Sequence, residues 1–240
     1  MIQNNINLTR DFFDRDTLKV AQDLLGKVIR VRYQTVWLCA QIIETEAYYI
    51  HEKASHASLG FTEKRKALFM PAGTIYMYYA QGGDSLNISC HGEGNSVLIK
   101  SAVPYEGVKN FKLMVSIMQQ LNPCKNKPEY RKPKHLCAGQ TLLCKSLNLR
   151  VKDWDQKNFS PQRFIITDQG YYPGKIIQTR RLGIPKGRDE DLLYRFVDYD
   201  YSHCCTNNPL SKRKWQVGKD YFIIKINSPV IDQRSMKCSD

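Results

Sequence analysis

The amino-acid sequence predicts an α+β fold, and two observations support this. Extended segments rich in β-branched and aromatic residues come in pairs: residues 27–33 with 36–48, and residues 74–79 with 85–89. Short turns join each pair, around Gln34-Thr35 and Gln81-Gly82-Gly83-Asp84, and Gly-Gly is a favoured hairpin centre. Apolar residues also recur at helical spacing in residues 17–25 and 107–121. Strands joined by such short turns pair in the antiparallel direction.

Local signals define the elements in the first half of the chain. Asp14 and Asp16 precede the first apolar-periodic segment, and Gly26 follows it as a helix stop. After the first strand pair, the polar residues 49–66 are predicted to be a loop. Residues 96–102 form a further strand, on which Lys100 points the same way as Leu98 and would extend to solvent.

The second half of the chain gives weaker signals. The helix at residues 107–121 is followed by a basic, proline-containing linker at 123–133 and by a mild helical pattern in 136–147. Residues 154–170 are mixed polar chain, residues 174–184 are extended, and residues 220–224 form a short strand. No internal repeat or Gly-rich phosphate loop is present in the sequence.

Composition and charge predict a basic intracellular protein with a polyanionic partner. The 240 residues carry a net charge of +13 and are 42% hydrophobic, enough for an ordinary core. Nucleic acid is the first candidate partner and an anionic membrane the second; fourteen tyrosines favour nucleic acid, because rings stack on bases. The eight cysteines show neither CxxC pairs nor zinc-finger spacing, which indicates reduced thiols in the cytoplasm. No apolar run approaches the ~20 residues that span a bilayer.

The stretch from Ile42 to Tyr49 is the strongest candidate for a functional site. With the alternation of a strand, Ile42, Glu44, Glu46 and Tyr48 share one face. Buried carboxylates are costly unless paired, so two of them beside an aromatic ring suggest a catalytic corner. The alternative is a solvated strand face, and this stretch by itself favours that alternative.

Three other positions have both a functional and a structural interpretation. His56 is either a solvated loop histidine or part of a site with the preceding carboxylates. Asn87 interrupts a run of strand formers and is either solvent-facing or a binding amide. Arg180 and Arg181 are candidate phosphate contacts, although exposed basic pairs more often only increase solubility.

Several motifs in fixed order resemble the alkyladenine (3-methyladenine) DNA glycosylase family. They are Ile42–Tyr48 with a histidine eight residues later, Phe69–Tyr78, Leu86–Ile88, Val97–Lys100, Leu136–Gly139 and Arg181–Ile184. The resemblance covers about residues 17–208. It implies one glycosylase domain over residues 1–240, with a C-terminal extension at 209–240. The implied fold is a curved, mostly antiparallel sheet with a protruding hairpin and peripheral helices.

The resemblance also implies roles for individual residues. Glu46 matches the general base that activates water. Tyr48, His56 and Tyr78 match residues that contact the flipped base, and Asn87 matches the amide that shapes the pocket. No metal or cofactor is implied.

Three positions depart from the family pattern. Lys100 stands near the catalytic carboxylate where arginine is usual, Gln81 stands at the hairpin tip where an intercalating tyrosine is usual, and Leu142 replaces a common lysine. These departures bear on base flipping and substrate range more than on the reaction class.

The implied activity is excision of alkylated or deaminated purines from double-stranded DNA, initiating base excision repair. The enzyme is expected to act as a monomer with no membrane partner, in bacterial cytoplasm or a eukaryotic nucleus. Two rival functions stay open on the sequence. One is a nucleic-acid-binding module without catalysis, and the other is a carbohydrate hydrolase that uses Glu44 and Glu46 as an acid/base pair.

Overall fold

The computed structural model describes residues 6–80, 82–124 and 129–226, and one antiparallel sheet runs through them. Its strands are β1 (Ile6–Asn7), β2 (Val28–Tyr33), β3 (Val36–Tyr48), β4 (Ile75–Ala80), β5 (Gly83–Ser89), β6 (Ser96–Pro104), β7 (Phe164–Asp168), β8 (Lys175–Thr179), β9 (Arg195–Asp198) and β10 (Tyr221–Lys225). The α-helices are α1 (Arg10–Phe13), α2 (Thr17–Asp23), α3 (Phe111–Leu121), α4 (Gln140–Ser146) and α5 (Val151–Trp154). The predicted mixture of helices with a large antiparallel sheet is confirmed.

Strand β3 is the centre of this sheet because it pairs with three other strands. Its first half pairs with β2, and its second half pairs with β9 on the same edge. Along its other edge β3 pairs with β6. Glu44–Glu46 therefore has a hydrogen-bonded strand on both sides, which fixes the backbone that carries the candidate carboxylates.

The register of β3 corrects one prediction about its faces. Register shifts separate Ile42 from Glu44 and Glu44 from Thr45 in the pairing with β6. Ile42 packs in the main hydrophobic core, as does Ala47, whereas Ile43 packs in a separate cluster. Ile42 therefore does not share a face with the carboxylates, because a β-bulge breaks the alternation on which that prediction relied.

Helix α2 begins where the sequence predicts. The Asp16 side chain caps it by accepting from the Lys19 amide, and Gly26 follows with a φ of +86°. Its buried residues pack on β3, where the Thr45 hydroxyl donates to the Ala21 carbonyl at 2.7 Å. This packing closes the face of β3 opposite Glu46.

Strands β4 and β5 form the predicted hairpin, with a different centre. Ala80 pairs with Gly83, so Gly83 belongs to β5 and the turn is not centred on the two glycines. Gln81 lies outside the described residues. Gly83 allows β5 to approach α4 closely, since a Cβ there would clash with the Thr141 side chain. The glycine is thus needed for packing against α4.

Several elements were missed by the sequence reading. The predicted loop at residues 49–66 contains the 3₁₀ helix His56–Leu59 and the start of another, Glu63–Phe69. Strands β7 and β9 fall in segments with no strand prediction. The predicted strand near residue 220 exists as β10 and extends the sheet by pairing with β8. Within the described ranges, no helix has the length and apolarity to span a bilayer.

Candidate active site

A cavity of about 670 Å³ opens beside the second half of β3. Aromatic side chains from two strands and a 3₁₀ helix form much of its wall: Tyr48, His56, Tyr76 and Tyr78. Asn87 and Lys100 add an amide and an ammonium group to the lining. The fold therefore brings together side chains that are spread over residues 48–100 of the sequence.

Glu46 is fully buried directly beside this cavity. Its Oε2 atom accepts a hydrogen bond of 2.7 Å from the Tyr48 hydroxyl. Its Oε1 atom lies 3.3 Å from Lys100 Nζ and accepts from the Leu182 amide at 3.3 Å. Tyr48, Lys100 and Leu182 all line the cavity, so the carboxylate is separated from it by its own hydrogen-bond partners.

Neighbouring charges and burial have opposite effects on the pKa of the Glu46 carboxyl group. Burial by itself raises its pKa, but Lys100, Arg195 and the hydrogen bonds from Tyr48 and Leu182 together bring the pKa below its ordinary value. The carboxylate is therefore ionised at neutral pH. Burial and the neighbouring Glu46 charge raise the pKa of Tyr48, which stays a hydrogen-bond donor. Lys100 is buried against Glu46, so the solvent-facing alternative does not match its position.

The rings of the cavity contact one another. His56 Nδ1 lies 2.9 Å from the Tyr76 hydroxyl, and the His56 ring packs edge-on against Tyr78 with centroids 4.5 Å apart. Burial, then Arg65 and Arg188, lower the pKa of His56, which keeps the imidazole neutral near pH 7. His56 is exposed, and its ring contacts Tyr76 and Tyr78 at the cavity wall.

Asn87 lies on β5, buried opposite Tyr76 of β4. Its Nδ2 atom donates to the Tyr76 carbonyl at 3.3 Å, which fixes the orientation of the amide. Asn87 also lines the cavity, so the predicted solvent-facing alternative does not match its position.

Arg181 lies behind the aromatic wall. Its guanidinium group stacks between Tyr48 and Tyr194, with its carbon 4.5 and 5.5 Å from the two ring centroids. It also donates to the Ala47 carbonyl at 2.8 Å and pairs with the buried Glu52 at 2.5 Å. Since the Arg181 side chain is fully buried, the structure does not give it the exposed position that a phosphate contact requires.

Arg180 differs from its neighbour in both exposure and partner. Its side chain is 44% exposed and pairs with the exposed Asp191 at 3.1 Å. A surface contact with phosphate at Arg180 is compatible with this position.

Glu44 belongs to a separate buried network. It accepts from Arg195 Nε at 2.7 Å, from the Thr206 hydroxyl at 2.7 Å and from the Ser101 hydroxyl. Both of its oxygens are occupied by fixed donors, which is typical of a structural carboxylate. Sequence reasoning missed Arg195, because it reaches Glu44 from a remote segment whose local sequence carries no signal. It included Leu182 in the motif Arg181–Ile184 but gave its backbone amide no role.

No group of three or more His, Cys, Asp or Glu side chains suited to a metal occurs in residues 6–80, 82–124 and 129–226. The cysteines in these ranges are unpaired, and burial raises the pKa of Cys39, Cys90 and Cys137. These thiols are packing residues rather than nucleophiles.

An aromatic cavity beside a buried, ionised carboxylate, in a strongly basic chain, is typical of an enzyme that acts on bases in nucleic acid. The comparisons with known proteins agree. A family model described as methylpurine-DNA glycosylase (MPG) matches residues 11–202. The chain belongs to this family, and it is a DNA glycosylase, a hydrolase whose substrate is DNA.

Relatives from bacteria and an archaeon match nearly the whole chain. A protein of Pseudomonas syringae pv. tomato is 58% identical over 214 residues, which cover 89% of this chain and 95% of that protein. A protein of Pseudomonas aeruginosa (strain LESB58) is 56% identical, covering 91% of this chain and 90% of its own. A protein of Methanocella arvoryzae is 30% identical, covering 83% and 95%. The names of all three contain the words 3-methyladenine DNA glycosylase.

Proposed function

We propose that the protein removes alkylated or deaminated purines of the 3-methyladenine class from duplex DNA and so initiates base excision repair. One observation carries this proposal: the buried carboxylate of Glu46 adjoins a ring-lined cavity that has room for a purine. A base inside a duplex is not accessible to such a cavity, so the target nucleotide must rotate out of the helix.

The cavity favours damaged purines for two physical reasons. Rotating a base out of the stack costs a few kcal/mol, and the cost is smallest for a base that is badly paired. The faces of Tyr48 and Tyr78 attract a purine made cationic by alkylation, by ~0.5 to 2 kcal/mol. Asn87 adds a fixed amide at the cavity wall, which selects among base edges.

Glu46 then supplies the chemistry. As the N-glycosidic bond breaks, positive charge develops on the sugar, and a nearby carboxylate stabilises it. The same carboxylate takes a proton from the attacking water as general base, which requires the ionised form. Lys100 keeps Glu46 ionised, and no covalent bond between enzyme and DNA is needed, so the reaction is monofunctional.

Exchange of Glu46 for glutamine tests this mechanism. Glu46→Gln keeps the shape of the side chain but removes the base and the charge. We expect single-turnover release of hypoxanthine or 7-methylguanine to fall by about 10²–10⁴-fold, with binding to damaged duplex retained. Base release at the wild-type rate would remove Glu46 from the mechanism.

The position of Glu44 argues against the carbohydrate hydrolase. A glycosidase needs two carboxylates with access to the same sugar bond. Both carboxylates are fully buried, but Glu44 is held on both oxygens by Arg195, Thr206 and Ser101, which leaves no second carboxylate free to act on the sugar bond. We also propose that one chain suffices for activity, as a monomer in bacterial cytoplasm or a eukaryotic nucleus, since one chain supplies all the site residues.

A further inference from the structure

Three consecutive cations lie close to the cavity wall along the chain. Lys212, Arg213 and Lys214 are all exposed, and none of them forms an ion pair with a carboxylate of the residues that the structure describes. They lie beyond residues 11–202, the part of the chain that the family model matches. The family match therefore assigns no role to these three residues, which we call the basic run.

The chain that leads to the basic run is fixed to the wall of the cavity. Thr206 lines the cavity, and its amide and hydroxyl both donate to the Glu44 carboxylate, at 3.2 and 2.7 Å. The carbonyl of the next residue accepts from Arg195 at 2.8 Å. Asn208 is buried and caps the 3₁₀ helix Pro209–Ser211, which directly precedes the basic run. The first cation therefore has a defined position relative to the cavity.

Trp215 fixes the other end of the basic run. It packs against a buried cluster of Ile177, Val197 and Tyr221. Val197 is paired across β9 and β3 with Glu44, and directly paired residues on neighbouring strands point to the same face of a sheet. The Trp215 side chain therefore covers the face that carries Glu44, so the basic run lies on the same side of the sheet as the cavity.

The length of the connecting chain limits the distance between the basic run and the cavity. Lys212 follows Thr206 by six positions, and a chain spans at most ~3.5 Å per residue, so their Cα atoms are no more than about 21 Å apart. A DNA duplex carries one phosphate charge for every ~1.7 Å of its axis. Phosphates near an extruded nucleotide are therefore within reach of these long side chains.

We infer that the basic run binds phosphates of the duplex that flank the extruded nucleotide, and so extends the DNA interface beyond the cavity. This inference rests on the proposed function. Binding of phosphate to these cations breaks no ion pair within the described part of the chain, and it releases counterions from the duplex. Phosphate contacts set the position of a protein on a duplex without reading its sequence. The basic run would therefore hold the cavity over a lesion in any sequence.

An anionic membrane is another polyanion that attracts clustered lysine and arginine. The connection between the basic run and the cavity favours DNA. Because the run is fixed to the cavity wall and lies on the same side of the sheet, a membrane bound there would obstruct the approach of a duplex to the cavity.

The test removes the three charges together, in Lys212→Gln/Arg213→Gln/Lys214→Gln. Affinity for a labelled, undamaged duplex of about 24 base pairs should fall by about 10- to 100-fold at roughly 50 mM salt. The slope of log affinity against log salt should decrease by about 2 to 3, since each phosphate contact contributes about 0.9. The protein concentration that gives half-maximal release of hypoxanthine from a damaged duplex should rise by a similar factor.

Lys19→Gln/Lys112→Gln/Lys152→Gln is the matched control. These lysines are exposed on α2, α3 and α5, whose buried side chains pack in the main hydrophobic core rather than in the cluster under Trp215. The control removes the same net charge and should change the salt slope by less than about 1. Equal effects of the two triple variants, or no effect of the basic-run variant, would overturn the inference.

Neutral phosphates locate the contact. A methylphosphonate is placed at one phosphate after another, within about 8 base pairs of a hypoxanthine, because this covers the reach of the basic run. At one or more positions it should raise the half-maximal protein concentration for the wild type but not for the basic-run variant. If every position affects both proteins alike, the basic run makes no phosphate contact.

Two further outcomes are distinguishable. Binding of the wild type to phosphatidylglycerol vesicles that is lost in the basic-run variant, with duplex affinity unchanged, would assign the run to a membrane and reject the inference. If the wild type releases no base from any damaged duplex, the proposed function itself fails. Wild-type base release with duplex affinity unchanged in the basic-run variant rejects only the role of the basic run.

Discussion

Glu46 and Lys100 form the charge pair on which the proposed chemistry depends. The carboxylate has no exposed surface, and Lys100 is only 8% exposed. A buried carboxylate with no cation nearby would take up a proton and lose its function as a base. In the proposed mechanism, Lys100 therefore acts on catalysis through the charge of Glu46.

Lys100→Met is expected to move the acidic limb of the pH profile to higher pH. In the wild-type protein the pKa of Glu46 lies below its ordinary value of 4.5, so activity is lost only as pH falls through that lowered pKa. Without Lys100, burial dominates and the pKa rises. Single-turnover rates measured between about pH 4 and 8 report this shift. Lys100→Arg retains the charge and should restore the acidic limb; a Lys100→Met profile identical to that of the wild type would contradict the assignment.

At the scale of elements, the Arg181 stack connects the end of β3 with the segments that follow β8 and precede β9. Within the part of the chain that the structure describes, two guanidinium nitrogens of Arg181 have no hydrogen-bond partner, as expected for a group held between the faces of Tyr48 and Tyr194. The stack fixes Tyr48 from behind. The ring that borders the cavity is thereby oriented before DNA arrives.

Arg181→Met should lower the free energy of unfolding by about 3–5 kcal/mol, because it leaves Glu52 buried without a cation. In a double-mutant cycle, Glu52→Gln should reduce this loss, with a coupling of about 1–3 kcal/mol measured by urea unfolding. Arg180→Met is the matched control. Its exposed ion pair with Asp191 contributes at most about 0.5 kcal/mol to the free energy of unfolding. Equal losses for both arginine variants would show that the buried stack does not stabilise the fold.

The close contact between the β4–β5 hairpin and α4 predicts that one methyl group added at residue 83 lowers the stability of the fold. In Gly83→Ala, the new Cβ would meet the Cγ2, Oγ1 and Cβ atoms of Thr141, so strand and helix must separate. We expect a loss of about 1–3 kcal/mol in stability by thermal unfolding. Thr141→Ala in the same chain should recover part of this loss. Gly174→Ala, with no atom within 4 Å of its Cβ, serves as the control; a similar loss there would exclude the steric explanation.

At the scale of the whole molecule, the net charge of +13 should dominate affinity for DNA. If about six phosphates are neutralised, observed affinity falls by about three orders of magnitude between roughly 50 and 200 mM salt. Fluorescence anisotropy with labelled duplex measures this slope. Binding of free hypoxanthine to the cavity, which releases no counterions, is the control and should depend little on salt. A flat slope for duplex would exclude charge as the main source of affinity.

Local sequence was sufficient for the elements with strong patterns. The β3 strand was predicted with the bounds that the structure has, Val36–Tyr48, and Asp16 was predicted among the caps of α2. Strands β7 and β9 were missed because they are short and lack clear alternation, so their pairing partners define them. The strand pattern by itself did not show that Lys100 is buried; only the family resemblance implied a place for it near the carboxylate.

The sequence by itself determined the basic charge and, through its ordered motifs, the family and the residues proposed for the site, because motifs and composition are properties of the chain. Only the tertiary structure decided which of two neighbouring carboxylates adjoins the cavity and which of two neighbouring arginines is buried. Glu44 and Glu46, like Arg180 and Arg181, differ little in local sequence. Their roles differ because strands and loops remote in sequence supply the partners, and burial and charge depend on those partners.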